Sequence, residues 1–565
     1  MKRVWIFVKK IMRWIKALRL DENTLAYVAH NKRIFLSERR GKPKTPVLLF
    51  ELNEQHSSII AYSYLANVLA SKHDADIVAY LPTRHVSWLG SLAWRFLQLL
   101  NPIVFSIYGS FGVQGFLAPK LDSVQLRKAQ NLFDATLANI NTKADIESLC
   151  INGVWIGDLV YDSYLMNYNR PTIDRNADDF HASLKNSIKL YVFWEDYISN
   201  HDVRAVSVSH CVYDLAIPLR IAVIKNIAVY QINATHVYRL DAKNLFAYND
   251  FYHYRRLFGE LPRNVQEAGL KEAEARINRR LAGEVGVDMA YSKKSAYGGS
   301  KGIRLVKESS RKKILIATHC FFDSPHSYGN NLSPDFYEWL DFLGQMTQKT
   351  DYDWYIKTHP DYLPGTKEII DSFVEKYPRF TLLPADSSHH QLIAEGIDVA
   401  LTVYGTIAFE YAALGMPVIN ASAHNPHVAY DFNLHPKSIE EYECLLLNLE
   451  ELALPVDKQQ VYEYYFMKHI YSTENWLFKD YSQMIEDIGG YKEQFTPKVY
   501  EKWLSEWTPE KHTQIIKTLQ QFVDSGDFRL DHRHCRRGLT VQRFASTTDA
   551  VIVSGTGRRA SKIKV

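Results

Sequence analysis

"YIKTHPDY", residues 355–362, places an apolar run against Lys357, Thr358 and His359 and then stops at Pro360. A proline disfavours helix at the residue before it, so the run reads as a strand leaving into a loop, with His359 at the carboxyl edge of a sheet. Around it, strands are expected at 313–318, 354–358, 380–383, 399–403 and 418–420. Between them lie helical stretches, "PDFYEWLDFLGQM", "TKEIIDSFVEKY", "HHQLIAEG" and "IAFEYAALG". Strand and helix alternating at this spacing make a doubly wound parallel sheet, whose ligands bind outside the carboxyl ends of its strands.

The first half repeats the alternation more faintly. A buried strand is expected at 47–52, then a loop with Asn53, Glu54, Gln55 and His56, a helix through Leu69 and a strand at 77–81. "VRAVSVSH" adds a strand at 203–208 ending at Ser209 and His210, and "IAVYQINA" adds another. The Gly-, Ser- and Lys-rich "AYSKKSAYGGSKGIRLVKESSRKK" reads as the linker. The expected division is a basic segment at 1–40, an α/β domain at 41–305, a second α/β domain with terminal helices at 306–525, and a basic, loosely ordered tail at 526–565.

Composition is that of a globular chain: 565 residues, 46% hydrophobic and 23% charged, which excludes a disordered or fibrous protein. A net charge of +4 is small for this length and points to no nucleic-acid partner. The five cysteines are scattered and form no C-x-x-C pair, as expected for a reducing compartment.

"MKRVWIFVKKIMRWIKALRL" spaces Trp5, Val8, Ile11, Met12, Ile15 and Leu18 at helical intervals among basic residues. Such a helix would lie on an anionic membrane surface and not span it. A second apolar stretch, 88–118, is interrupted by Arg95, Asn101 and Pro102 and reads as a buried or interface-facing helix and loop.

In "TVYGTIAFEYAALGMPVINA", residues 402–421, a strand turns at Gly405 and Thr406 into a helix start. Unpaired N–H groups there suit phosphate. His359 and Lys357 at the neighbouring strand end would face the same anion, and Glu410 could accept from ribose hydroxyls. "IKTHP" followed by "YGTIAFEYAALGMPVI" resembles the C-terminal domain of GT-B glycosyltransferases of bacterial capsule and lipopolysaccharide synthesis. The Lys-x-His-Pro stretch resembles that of enzymes using CMP-Kdo or CMP-sialic acid, and of glycerophosphate polymerases using CDP-glycerol.

The resemblance implies a GT-B fold, two Rossmann-like domains facing a central cleft. It implies a nucleotide-activated sugar as donor, a lipid-linked or membrane-proximal glycan as acceptor, and no cofactor. His359 would contact the donor phosphate, with Gly405 and Thr406 binding it through backbone N–H and hydroxyl. Thr402 stands where many retaining members carry the first of two acids. A CDP-glycerol glycerophosphotransferase, a nonhydrolysing sugar-nucleotide epimerase and a non-catalytic binding subunit are the alternatives.

The catalytic group is expected from the first domain, since the acceptor enters there: Asp158 first, then His210 and Asp162. Asp158 follows Gly157 and large apolar residues, an environment that would raise its pKa. Glu51 and Asp196 read as helix caps or solvated ion pairs. Asp323 and His326, in "FFDSPHSYGNN", form a loop pointing to the cleft. Asp351 and Asp353 precede a strand and read as a turn, His389 and His390 as surface histidines, and no metal is inferred.

Overall fold

The computed structural model describes residues 21–36, 46–82, 90, 94, 103–289, 294–298, 302–359, 362–451, 456–471 and 475–535. The basic segment 1–20 expected to bind a membrane surface lies outside them, as does the tail beyond Cys535.

Two parallel sheets organise the chain. The first contains β1 (Val47–Glu51), β2 (Asp76–Tyr80), β3 (Val113–Leu117), β6 (Val203–Val208), β7 (Ala228–Ile232) and β8 (Val237–Leu240), in the order β3-β2-β1-β6-β7-β8. A two-stranded ribbon, β4 (Cys150–Ile151) and β5 (Val154–Trp155), stands apart from it. All neighbours in the first sheet run parallel except β7 and β8. The second sheet contains β9 (Lys313–Ala317), β10 (Asp353–Lys357), β11 (Phe380–Leu382), β12 (Val399–Thr402) and β13 (Val418–Asn420), all parallel, in the order β11-β10-β9-β12-β13. Central strands such as Leu48–Phe50 and Ile314–Ile316 are fully buried because helices cover both faces.

Each sheet reverses its order once, between β1 and β6 and between β9 and β12. Such a reversal parts the crossover loops and opens a crevice at the carboxyl ends of the two strands. The two carboxyl edges meet: Tyr213, beyond β6, donates its hydroxyl to Asp323, beyond β9, at 2.8 Å. This is the GT-B architecture, two doubly wound α/β units facing one another.

The domain boundaries differ from those expected. Helix Glu22–Phe35 is no surface anchor; Tyr27, Val28 and Phe35 are buried in the core of the first sheet. The terminal helices Tyr481–Asp487, Lys498–Glu506 and Pro509–Ser525 belong to that core too, not to the second domain. Tyr27 stacks on Tyr500 at 4.1 Å and 7°. Residues 526–535, expected to be loose, continue the first sheet: Arg239 N–H donates to Phe528 O at 2.8 Å, Leu530 N–H donates to Val237 O at 2.9 Å, and Leu530 is buried. In 88–118, expected to be helix and loop, the described part yields helix Ile103–Ser110 and also the edge strand β3.

Among the described residues no helix is long and apolar enough to cross a membrane.

Candidate functional site

A cavity of about 840 Å³ opens at the carboxyl edge of the second sheet. Three strand ends build it: Thr318 and His319 after β9, Lys357 to His359 at β10, and Thr402 to Thr406 after β12. Its remaining wall is the connector between the domains. Arg280, Glu284, Met289 and Lys294 to Tyr297 line it. Ala296 O accepts from His389 N–H at 3.1 Å and Tyr297 O accepts from the Ser388 hydroxyl at 3.1 Å. The stretch expected as a mere linker is therefore part of the site.

Of the residues expected to bind a nucleotide, Lys357, His359, Gly405, Thr406 and Glu410 all line this cavity, and so does Asp323. His359 is exposed at the strand end, where Pro360 was expected to place it. Lys357 is buried and donates to Ala385 O at 3.1 Å; burial pushes its ammonium down to about 8 against the pull of Asp386 and Glu410. It is thus still mainly cationic at neutral pH.

Two expected roles change. Gly405 N–H already donates to Thr402 Oγ1 at 3.2 Å, so it is spent within the loop. The helix behind it, Ile407–Ala413, has only 7 residues, and fewer aligned peptides give a smaller terminal charge. The backbone of this turn therefore offers little to an anion, and the polar groups left in the wall are side chains. Gly405 is needed for space: a Cβ would sit 2.8 Å from Thr402 Oγ1. Glu410 already holds two partners of its own, Arg280 Nε donating to its Oε1 at 2.6 Å and Tyr297 Oη donating to Oε2 at 2.9 Å, so it ties the connector to the helix whatever else it meets.

The expected catalytic acids lie elsewhere. Asp158 is buried in an ion pair with Arg220 at 2.5 Å, and the guanidinium lies over the rings of Trp155 and Phe246. That is a structural pair closing the ribbon β4–β5 onto the first sheet; it lines no part of the cavity. Asp162 is also buried and is engaged across the domain interface. His326, buried in turn, meets Asp162 through Nδ1 at 2.5 Å and Glu147 through Nε2 at 3.0 Å. Burial opposes a charge on His326, but the two carboxylates outweigh it and hold the imidazolium up to about 10. Asp335 extends this clamp by accepting from Tyr161 at 2.5 Å and Thr172 at 2.6 Å. His326 is therefore an interdomain tie and not a cleft-loop ligand. His210 remains exposed at the end of β6, on the edge that faces the second sheet.

Glu51 is neither cap nor solvated pair. It is buried at the reversal of the first sheet, where Ser209 donates from N–H at 2.9 Å and from Oγ at 2.6 Å, and burial raises its carboxyl to about 7. Asp196 is half-buried and accepts from Gln125 at 2.8 Å. His389, expected at the surface, is buried in the cavity wall and its Nδ1 lies 2.7 Å from the Tyr411 hydroxyl.

Sequence reasoning did not single out His319, Arg280 or Tyr297. For His319 a signal existed: "THC" at 318–320 repeats the Thr-His of "THP" at 358–360 at the end of the adjacent strand, in a register that pairs Ala317 with Lys357. Among the described residues no group of three or more His, Cys, Asp or Glu is arranged to hold a metal.

No protein-family model and no curated protein matches the chain. Among solved structures it is similar to UDP-GlcNAc 2-epimerase from Neisseria meningitidis bound to UDP-GlcNAc, at 11% identity over 75% of this chain and 96% of that one, with a TM-score of 0.21. It is also similar to UDP-GlcNAc 2-epimerase from Methanocaldococcus jannaschii in complex with UDP-GlcNAc and UDP, at 12% identity over 74% and 97%, with a TM-score of 0.19. A glycosyltransferase from Rickettsia africae aligns at 8% identity over 82% of this chain and 100% of that one, with a TM-score of 0.24. Scores this low carry no argument about function, which rests on the chain's own cavity.

Proposed function

We propose that the chain is a glycosyltransferase that moves a sugar from a nucleotide-activated donor to a growing bacterial surface glycan, working at the inner face of the cell membrane. The observation that supports this most is the cavity at the reversal point of the second sheet, with Lys357, His359 and Thr406 in its wall. A cavity of that size takes a nucleoside phosphate, and a buried ammonium beside an exposed imidazole stabilises negative charge as it develops on a leaving phosphate. The acceptor enters from the facing edge of the first sheet, where His210 is the exposed group able to take a hydroxyl proton.

The test is thermal stabilisation of the full chain by CMP, CDP, UDP and GDP, compared with His359→Ala. Ligand at 100 times its dissociation constant adds about 2.7 kcal/mol of stability. Selective stabilisation by CMP, weakened in the variant, supports a Kdo or sialic-acid donor; CDP redirects the proposal to glycerophosphate transfer; UDP or GDP indicates a hexose donor. Stabilisation by none of the four refutes the nucleotide cavity and with it the proposal.

A further inference from the structure

We infer that His319 is a fixed, uncharged hydrogen-bond donor to the phosphate of the nucleotide taken by the cavity, a role that rests on the function proposed above.

The reversal of the second sheet sets the state of the ring. His319 leaves β9 and reaches across to the end of β12, where its Nε2 lies 3.2 Å from Val403 N, 3.4 Å from Tyr404 N and 3.0 Å from Thr402 Oγ1. Backbone N–H groups only donate, so Nε2 must hold a lone pair. Thr402 Oγ1 accepts from Gly405 N–H, which leaves its own proton for the same Nε2. The ring proton therefore sits on Nδ1. A second proton, on Nε2, would face two backbone donors and lose both bonds, so the ring stays neutral. Burial acts in the same direction and pushes the imidazole down to about 3.

The ring is also fixed in orientation. It stacks on Phe336 at 4.5 Å and 12° and contacts Tyr404 at 4.8 Å. A Cβ on Gly405 would lie 3.6 Å from Cε1, the carbon joining the two ring nitrogens. His319 lines the cavity together with Thr318, Lys357, His359 and Thr406, and with Nε2 taken by the β12 backbone, Nδ1 is the polar atom of the ring left to offer a ligand. A hydroxyl or carboxylate could satisfy the two backbone N–H groups equally well; an imidazole adds a second polar atom, a donor whose charge does not change with pH in the working range. Lys357 supplies charge to the phosphate and His319 supplies direction.

Two variants separate the backbone contact from the donor. In His319→Gln the carboxamide oxygen reaches the Nε2 position and retains the acceptor for Val403 and Tyr404, but no donor remains at Nδ1. In His319→Asn the amide nitrogen takes the Nδ1 position and the acceptor is lost. Unliganded melting temperature and calorimetric titration with CMP, CDP, UDP and GDP are measured for the full chain and both variants. The expected result is a crossover. His319→Gln melts close to the unsubstituted chain but binds its nucleotide about ten-fold or more weaker, the worth of a hydrogen bond to a charged group. His319→Asn melts lower and keeps its affinity within about three-fold, under 1 kcal/mol at ten-fold per 1.4 kcal/mol.

Unchanged affinity in His319→Gln, with binding intact in the unsubstituted chain, overturns this inference alone. Affinity that tracks stability in both variants also overturns it, by assigning His319 a purely structural role. No binding of any of the four nucleotides by the unsubstituted chain overturns the proposed function and this inference together. Selective ¹⁵N-histidine spectra give a reading independent of affinity: a non-titrating Nδ1–H signal that moves on nucleotide addition is expected, and a ring titrating near the ordinary histidine pKa of about 6.5 refutes the assignment.

Discussion

Replacing His326 by glutamine tests the interdomain tie. The imidazolium is buried, and it meets Asp162 at 2.5 Å and Glu147 at 3.0 Å, both contributed by the other domain. Removing one partner of a buried ion pair costs about 3–5 kcal/mol, because the other charge is left buried without compensation. At ~2.1 cal/mol/K per residue the unfolding entropy of a chain this long is roughly 1 kcal/mol/K, so the melting temperature should fall by about 3–5 °C if both domains melt together. Calorimetry reads this directly, and separation into two transitions would report the same loss as uncoupling of the domains. The pH dependence fixes the cause. An unfolded imidazole titrates near about 6.5, whereas the folded one is held up to about 10. The contribution of His326 is therefore complete below about pH 6.5 and disappears as pH rises through about 10, so the gap between parent and variant should narrow in alkaline buffer. A variant that melts within 1 °C of the parent (roughly 1 kcal/mol) in a single transition at pH 7.5, where Asp162, pushed up by burial to about 6, is ionised and His326 still charged, would refute the tie.

Asp158→Asn should lower stability by about 3–5 kcal/mol through the orphaned Arg220, while nucleotide binding per folded molecule stays unchanged; denaturant titration alongside calorimetry checks both, and weakened binding in fully folded protein would return Asp158 to the site. Glu51→Gln should stabilise the chain above pH 7 and have little effect at pH 4. The folded carboxyl titrates near about 7 and the unfolded one near about 4.3, so its cost grows across that window, up to on the order of 3 kcal/mol; equal stability of the two forms at pH 8 contradicts this. Gly405→Ala should abolish nucleotide binding, because the added methyl meets Thr402 Oγ1 at 2.8 Å and displaces the loop; affinity within a factor of two of the parent, a few tenths of a kcal/mol, argues against a tight loop. Nucleotide affinity should weaken as pH rises past about 8, where Lys357 loses its proton, and binding near that pH should take up protons; an affinity flat to pH 9.5 removes Lys357 from phosphate contact.

Local features are written into the chain directly. The alternation of apolar runs and helical periodicity located nine of the strands of the two sheets, because a strand buried on both faces writes its burial into consecutive residues. The two edge strands of the first sheet were missed: β3, whose residues are mostly half-buried, and β8, only four residues long. Pro360 and Gly405 placed His359 and the β12 loop at one sheet edge, because backbone restriction and turn geometry are properties of a few adjacent residues. Hence the strand ends that line one side of the cavity were legible from local sequence.

Which charged groups are already taken depends on contacts made across the fold. Asp158 finds Arg220 62 residues away, Glu410 finds Arg280 at a separation of 130, and Asp162 finds His326 at 164. An acid in an apolar context has the same appearance in sequence whether it awaits a substrate or neutralises a distant cation. The same holds for residues 475–535, whose helices carry apolar faces that fit either sheet in principle and settle on the first. His319 shows the limit most directly. Its tautomer, and with it the donor it offers, is set by two backbone N–H groups of a strand end that pattern alone does not bring beside it.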